Sequence, residues 1–180
     1  AYSGAGADKL YSVIQMEELA RAGASGIGYS LHSEIVAPYI LHYGTEAQKK
    51  KYLPKLASGE MVGAIAMSEP AAGSDLQGVK TSAIQQPDGS YLLNGSKTFI
   101  TNGVYADYYV VAAKTSPDLG NKGISIFLMD TNLKGIAATK LDKLGWRASD
   151  TAEISFDNVE IPLENLMGEE GKGFPYIMQH

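Results

Sequence analysis

Ile65-Ala66-Met67-Ser68-Glu69-Pro70-Ala71-Ala72-Gly73-Ser74-Asp75 and Lys97-Thr98-Phe99-Ile100-Thr101-Asn102-Gly103 are the two stretches around which this 180-residue chain is organised. In the first, a short apolar run ends in a hydroxyl, an acid and a proline, and a small-residue loop then closes on Gly73-Ser74-Asp75. So little side chain leaves backbone N–H groups uncovered, which suits an anionic ligand. In the second, an aromatic and a hydroxyl lie two apart. In an extended strand Phe99 and Thr101 share one face and can meet one flat ring together.

Outward from these stretches the apolar pattern has period two from Val62 onward, with β-branched and aromatic residues. Strands are predicted over 62–67, 81–86, 90–101, 108–115, 123–130, 136–142 and 150–158, with a hairpin turn at Pro87-Asp88-Gly89-Ser90. Asn94-Gly95 reads equally as a second hairpin turn or as a bulge in one long bent strand, because Tyr91 to Leu93 is short for a strand. Closely spaced strands with brief turns point to an antiparallel barrel or sandwich. Upstream the period is near four. Asp8 is placed to cap a helix carrying Leu10, Val13, Ile14, Met16 and Ala20, with Glu17 and Glu18 exposed between them. Gly23, Gly26 and Gly28 interrupt it. Leu31, Ile35, Tyr39 and Leu41 suggest a second helix that tolerates Pro38 only with a kink or near an end. Thr45 with Gln48 forms a capping-box pattern for a third helix reaching about Ala57.

The predicted class is therefore α+β: N-terminal helices over 1–60, an antiparallel β-barrel or sandwich over 61–161, and over 162–180 a polar linker into the opening turn of a further helix at Phe174–Met178. His32 and His42 have no ligand-spaced partner and read as packed or capping residues. Lys49-Lys50-Lys51 reads as a solvated helix face rather than a phosphate site.

Composition removes several classes of function. Fifteen Lys and Arg against twenty Asp and Glu give a net charge of −5, with no dense basic run, which argues against nucleic acid. Without cysteine there is no disulfide framework, no thiolate-bound zinc and no thiol nucleophile. No apolar run approaches the roughly twenty residues that span a bilayer. Ala1-Tyr2-Ser3-Gly4 is neither a secretory nor a transit peptide, so a soluble, intracellular protein is expected. The start without methionine and the end at Met178-Gln179-His180 without a helix stop signal read as a piece of a longer chain. Gly4-Ala5-Gly6 continues to Lys9 where a dinucleotide fingerprint needs glycine, and Gly95-Ser96-Lys97-Thr98 lacks the Gly-Lys adjacency of a P-loop. Ser68 and Ser74 have neither a nucleophile elbow nor a nearby histidine, which argues against acyl-enzyme chemistry. Asn94-Gly95-Ser96 matches a glycosylation sequon, but no secretory signal accompanies it.

Met67 to Asp75 resembles the TEPGAGSD signature of acyl-CoA dehydrogenases, and Phe99 to Gly103 resembles their flavin-facing W/F-I-T/S-N-G strand, in the same order and at the same separation. Leu144 to Thr151 and Phe156 to Pro162 are similar to the family's G-x-R-x-S-D-T and F-D/E-x-V-x-V-P segments. The resemblance runs from about Gly4 to the last residue, and Asp75 to Thr81 is most similar to long-chain-type members. Ala71 stands where the family usually has glycine, and Phe99 where some members have tryptophan.

The resemblance implies FAD over the β-domain. Ile65, Ala66, Met67 and Ser68 would present backbone and hydroxyl groups to the isoalloxazine edge, with Gly73 and Ser74 near the pyrophosphate. Phe99 would pack on one flavin face, with Ile100 beside it, and Thr101 would hydrogen-bond near the redox-active nitrogen. Ser74, Asn121 and Lys122 would contact the acyl-CoA, although Lys122 reads equally as an exposed turn residue. The implied reaction is α,β-dehydrogenation of an acyl-CoA thioester to a trans-2-enoyl-CoA, in which a glutamate removes the α-proton while the β-hydrogen leaves as hydride. Neither Glu69, Glu169 nor Glu170 matches that base, so no catalytic residue is assigned and the chain alone is expected to be inactive, with the base and a C-terminal helical domain beyond it. Further implications are an electron-transfer flavoprotein as acceptor, a homotetramer, and a bacterial cytoplasmic or mitochondrial-matrix location. Two alternatives stay open. An acyl-CoA oxidase or flavin monooxygenase-like relative would differ in the oxygen reactivity of its reduced flavin, and a non-catalytic acyl-CoA- or partner-binding β-domain would lack flavin absorption altogether.

Overall fold

In the computed structural model, which describes residues 2–24 and 26–179, Asp8 opens the first helix by accepting the Leu10 N–H at 2.9 Å, and α1 runs Lys9–Arg21. Its apolar stripe is largely uncovered: Leu10, Val13 and Ile14 are each more than half exposed. The second helix begins as a π-helical turn, Leu31–Val36, and continues as α2, Ala37–Tyr43, with Pro38 in the first turn of α2. Proline has no N–H to give and its ring crowds the carbonyl four residues back. The chain answers with the wider turn, in which the Ala37 N–H bonds to the His32 carbonyl five residues back.

Helix α3, Glu46–Ser58, carries the predicted capping box, with Gln48 N–H donating to Thr45 Oγ1 at 3.2 Å and Thr45 N–H to Gln48 Oε1 at 2.9 Å. Gly59 at φ 76° ends it in the left-handed conformation glycine allows. His32 is a packing residue. Its Nδ1 accepts the Gly63 N–H at 3.1 Å, which leaves the proton on Nε2 to donate to the Leu56 carbonyl at 3.3 Å. Lys49 pairs with Glu46 and Lys51 with Asp130, as a solvated face would.

The strands are β1 Gly63–Ala66, β2 Ser82–Gln85, β3 Tyr91–Thr101, β4 Tyr108–Lys114, β5 Ile124–Asp130, β6 Ile136–Lys140, β7 Thr151–Ile161 and β8 Leu166–Met167, followed by helix α4, Gly173–Gln179. They form one sheet in the order β6-β7-β3-β2-β4-β5-β8, with β1 alongside β4. Antiparallel ladders dominate, as predicted. Two parallel contacts, β1 with β4 and Ser82 of β2 with Lys114 of β4, make the sheet mixed. The two-residue β8 was too short to show a period. Asn94-Gly95 resolves as the bulge: the β3–β7 register slips between Leu93 and Gly95, Gly95 has φ 148°, and a Cβ there would lie 2.5 Å from Thr81 Oγ1.

Strands β4 and β5 are buried on both faces. Tyr108, Val110, Ala112, Ile124, Ile126 and Leu128 pack toward Val36, Tyr39, Ile40 and Tyr52 of the helices. Tyr109, Val111, Ala113, Phe127 and Met129 pack toward Leu93 and Ile100 of β3 and Ile154 and Phe156 of β7. Gly63 is where the helical layer meets β1: a Cβ there would lie 2.2 Å from Tyr108 Oη and 2.8 Å from Val36 Cγ1, on side chains that are fully buried. Gly63→Ala is therefore expected to destabilise the fold by about 1–3 kcal/mol through overpacking, read as a lower urea midpoint with unchanged slope. Among the described residues no helix is long and apolar enough to cross a membrane.

Candidate functional site

Strand β1 delivers Met67 and Ser68 to the edge of β3, where the Ser68 carbonyl accepts the Thr98 N–H at 2.9 Å and joins the two motif stretches directly. The next residues fold back on themselves, with Glu69 N–H to Ala72 O at 2.8 Å and Ala72 N–H to Glu69 O at 3.1 Å. That tight reversal leaves Gly73, Ser74 and Asp75 exposed on a loop, and the short turn Leu76–Gly78 that follows rests against the turn Pro117–Gly123 bearing Asn121 and Lys122. Asn121 is half-buried and Lys122 exposed.

The Glu69 side chain turns inward and is 7% exposed. Its Oε1 accepts from Lys97 Nζ at 2.9 Å and from the Thr81 N–H at 3.0 Å, and its Oε2 accepts the Lys80 N–H at 2.6 Å. Lys97 Nζ also donates to the Met67 carbonyl at 3.0 Å. Burial pushes the Glu69 carboxyl up, but the Lys97 ammonium and these hydrogen bonds outweigh it and hold the group below its usual range. Glu69 is a structural residue, buried and fully engaged by Lys97, Lys80 and Thr81.

Phe99 occupies a left-handed backbone conformation, φ 59°, where the β3–β7 register slips between Lys97 and Ile100. Such a conformation at a non-glycine residue costs on the order of 1–3 kcal/mol and persists only when its surroundings impose it. The consequence is visible in the burial pattern. Lys97 and Thr98 are both buried in succession, Phe99 is thrown out to 71% exposure, Ile100 returns to the core, and Thr101 emerges again on the outer side. Phe99 and Thr101 thus both point away from the core, Phe99 exposed and Thr101 half-buried, and a bulge sets this up where plain alternation was expected.

Ile65 and Met67 are half-buried against the helix-side core, and Ser68 is half-buried beside them. Ala66 and Ile100 are fully buried, so their side chains belong to the core, and their backbones lie in the β1–β4 and β3–β7 pairings, with the Ile100 carbonyl accepting the Gly103 N–H at 3.1 Å. Thr101 lines a cavity of about 560 Å³ whose other walls include Met16, Leu19, Ile27, Leu31, Ile35 and Trp146. A larger cavity of about 650 Å³ lies among the helices, and none of the motif residues lines it. Among the described residues no cluster of His, Asp or Glu is suited to a metal ion.

Sequence reasoning passed over Asp150. This 4%-exposed carboxylate accepts the N–H groups of Val104 and Tyr105 through Oδ2, while its own carbonyl accepts the Asn102 N–H at 3.1 Å, so it holds the turn that leaves Thr101. Its only signal was its place in Ser149-Asp150-Thr151.

Residues 64–159 match the middle domain of acyl-CoA dehydrogenase, and residues 1–60 match its N-terminal domain. This chain belongs to the acyl-CoA dehydrogenase family. It is 48% identical over 181 residues to the mitochondrial long-chain specific acyl-CoA dehydrogenase of Mus musculus, a match covering 99% of this chain and 42% of that one. It is 49% identical over 179 residues to the mitochondrial isovaleryl-CoA dehydrogenase of Arabidopsis thaliana, covering 98% and 44%. The Bacillus anthracis acyl-CoA dehydrogenase solved in complex with FAD is similar with a TM-score of 0.89 at 38% identity, covering 98% of this chain and 31% of that chain. The chain thus spans less than half the length of these acyl-CoA dehydrogenases.

Proposed function

We propose that this chain forms the flavin- and acyl-CoA-facing wall of an enzyme that converts acyl-CoA thioesters to trans-2-enoyl-CoA. The observation that carries the reading is Phe99, an aromatic side chain 71% exposed on a left-handed bulge two residues before the cavity-lining Thr101. Neither a folded core nor strand pairing benefits from that arrangement, whereas a flat ring stacked on Phe99 does. Gly73 supports it from the other stretch. Its φ is not left-handed and a Cβ there would meet nothing within 4 Å, so this chain itself does not demand glycine, and the open space suits close approach of a phosphate.

The residues fit FAD, the ligand named for the Bacillus anthracis relative. Phe99 would stack on the ring and exclude water, the Thr101 hydroxyl would donate where negative charge develops, the backbone of 65–68 with the Ser68 hydroxyl would meet the ring edge, and Gly73 and Ser74 would lie by the pyrophosphate. Bound FAD supplies a two-electron acceptor. The apolar walls of the Thr101 cavity suit a hydrocarbon chain, and Ser74, Asn121 and Lys122 would contact the rest of the acyl-CoA. Relatives named for long-chain and for isovaleryl substrates are about equally similar, so the reading stops at acyl-CoA as a class. It includes a helical part over 1–60, a flavin-facing β-domain over 61–161 and a linker over 162–180. It also takes an electron-transfer flavoprotein as acceptor, a homotetrameric assembly, and the bacterial cytoplasm or mitochondrial matrix as compartment.

Thr101→Val tests the reading in the flavin-loaded protein. The swap keeps volume and removes one donor of about 1 kcal/mol, so it is expected to shift the visible flavin band or the reduction potential while the melting curve stays in place. An unchanged spectrum, potential and FAD affinity would mean that Thr101 faces no flavin.

A further inference from the structure

We infer that the buried Glu69–Lys97 ion pair is a positioning device that fixes the spacing between the two ligand-facing stretches, with Glu69 and Lys97 as positioning residues for the flavin site. The inference rests on the reading above that Ser68, Phe99 and Thr101 face a flavin. Three segments distant in sequence converge on this pair: Met67–Glu69, Lys80–Thr81 and β3. The side chains are 5% and 0% exposed. Every bond of the lysine lands beside a proposed contact. Its ammonium holds the carbonyl of Met67, next to Ser68, and the carboxylate of Glu69, on the far side of Ser68, while its own backbone lies two residues before Phe99. The Ser68 carbonyl to Thr98 N–H bond, 2.9 Å, closes the same cross-link through the backbone.

Stability alone does not account for such a pair, because well-packed apolar side chains of the same volume would fill the space without the cost of desolvating two charges. What the charges add is direction. A carboxylate accepting from two successive N–H groups and one ammonium, and an ammonium shared between a carboxylate and a carbonyl, leave little freedom to slide 65–68 against 97–101. The strained Phe99 backbone needs just such an imposed neighbourhood. A ring held between an aromatic on one stretch and hydrogen-bonding groups on the other is sensitive to displacements of well under 1 Å.

The test uses the flavin-loaded protein and reads FAD affinity and the position and fine structure of the visible flavin band, with circular dichroism and melting curves as the check on folding. Glu69→Asp keeps the charge and withdraws the carboxylate by one methylene. It is expected to remain cooperatively folded, to weaken the FAD Kd by about tenfold or more, and to alter the band. The double variant Glu69→Gln with Lys97→Met leaves no unpaired charge. It is expected to melt nearer the native protein than Lys97→Met alone while keeping the altered band, so that stability and flavin signature come apart. A folded Glu69→Asp with native Kd and native band overturns the inference. Should Glu69→Asp not fold, a double variant with native Kd and band overturns it instead. Phe99→Ala and Thr101→Val run alongside. If they shift the flavin while the Glu69 and Lys97 variants do not, the positioning role alone has failed; if none of the variants moves it, the flavin reading has failed and the inference with it.

Discussion

Replacing Lys97 with methionine is expected to lower the unfolding free energy at neutral pH by about 3–5 kcal/mol, the usual cost of removing one member of a buried ion pair. Methionine is of similar bulk, so the loss comes from the charge. Glu69 stays 7% exposed with its cationic partner gone, and the Met67 carbonyl loses its donor. The pH dependence identifies the cause. In the native chain the folded Glu69 carboxyl is held below its unfolded value, so its contribution is fully present above about pH 4.3 and is lost as pH falls through the lower folded value. Removing Lys97 takes away the largest influence holding that value down. The variant can then protonate Glu69 at a higher pH than the native chain does, and the stability gap should narrow as the pH is lowered through the carboxylate range. Urea unfolding of both chains at pH 7 and near pH 4 measures it. A gap below about 1 kcal/mol at pH 7, or one that does not change with pH, would rule out the charge as the source.

Local chemistry made most of the fold legible. Thr45 and Gln48 announce a helix start because their reciprocal bonds involve only residues three apart, and Pro87 to Ser90 announce a hairpin for a similar reason. The strands follow from alternation and β-branching, and even β4 and β5, buried on both faces, are apolar enough to be found. The features that give the site its shape depend on residues far apart. Nothing near Lys97 in sequence says that its ammonium will meet a carboxylate 28 residues earlier. Nothing near Phe99 says that its strand will slip register there and force φ to 59°. Asp150 was hidden in the same way, since its acceptors serve a turn about 45 residues upstream. The stripe on α1 taught the reverse lesson: spacing predicted the helix, but spacing carries no information on whether a partner covers the stripe, and here Leu10 is 67% and Ile14 58% exposed.

The 180-residue chain, mixed with FAD, a series of acyl-CoA thioesters and an artificial electron acceptor, is expected to form no enoyl-CoA above the protein-free control. A thioester α-proton is too weakly acidic to be lost at neutral pH without a base within roughly 2.6–3.2 Å, directly or through one water. The cavity beside Thr101 has no carboxylate among its lining residues. Glu69 is buried with both oxygens committed to Lys97, Lys80 and Thr81, and that set of donors makes it a weaker base than a free carboxylate. Asp150 is 4% exposed, with Oδ2 engaged by the turn after Thr101. Glu169 and Glu170 are exposed on the segment leading into α4, where Glu170 lies 3.4 Å from the Tyr91 hydroxyl at the start of β3, the end of that strand opposite Thr101. Loss of a general base alone typically removes about 10²–10⁴-fold of rate, and a site with one wall also forfeits the orientation of its substrate. Enoyl-CoA that accumulates with the chain and disappears in Glu69→Gln would reverse the assignment, because it would require Glu69 to leave Lys97 and reach the cavity as the base.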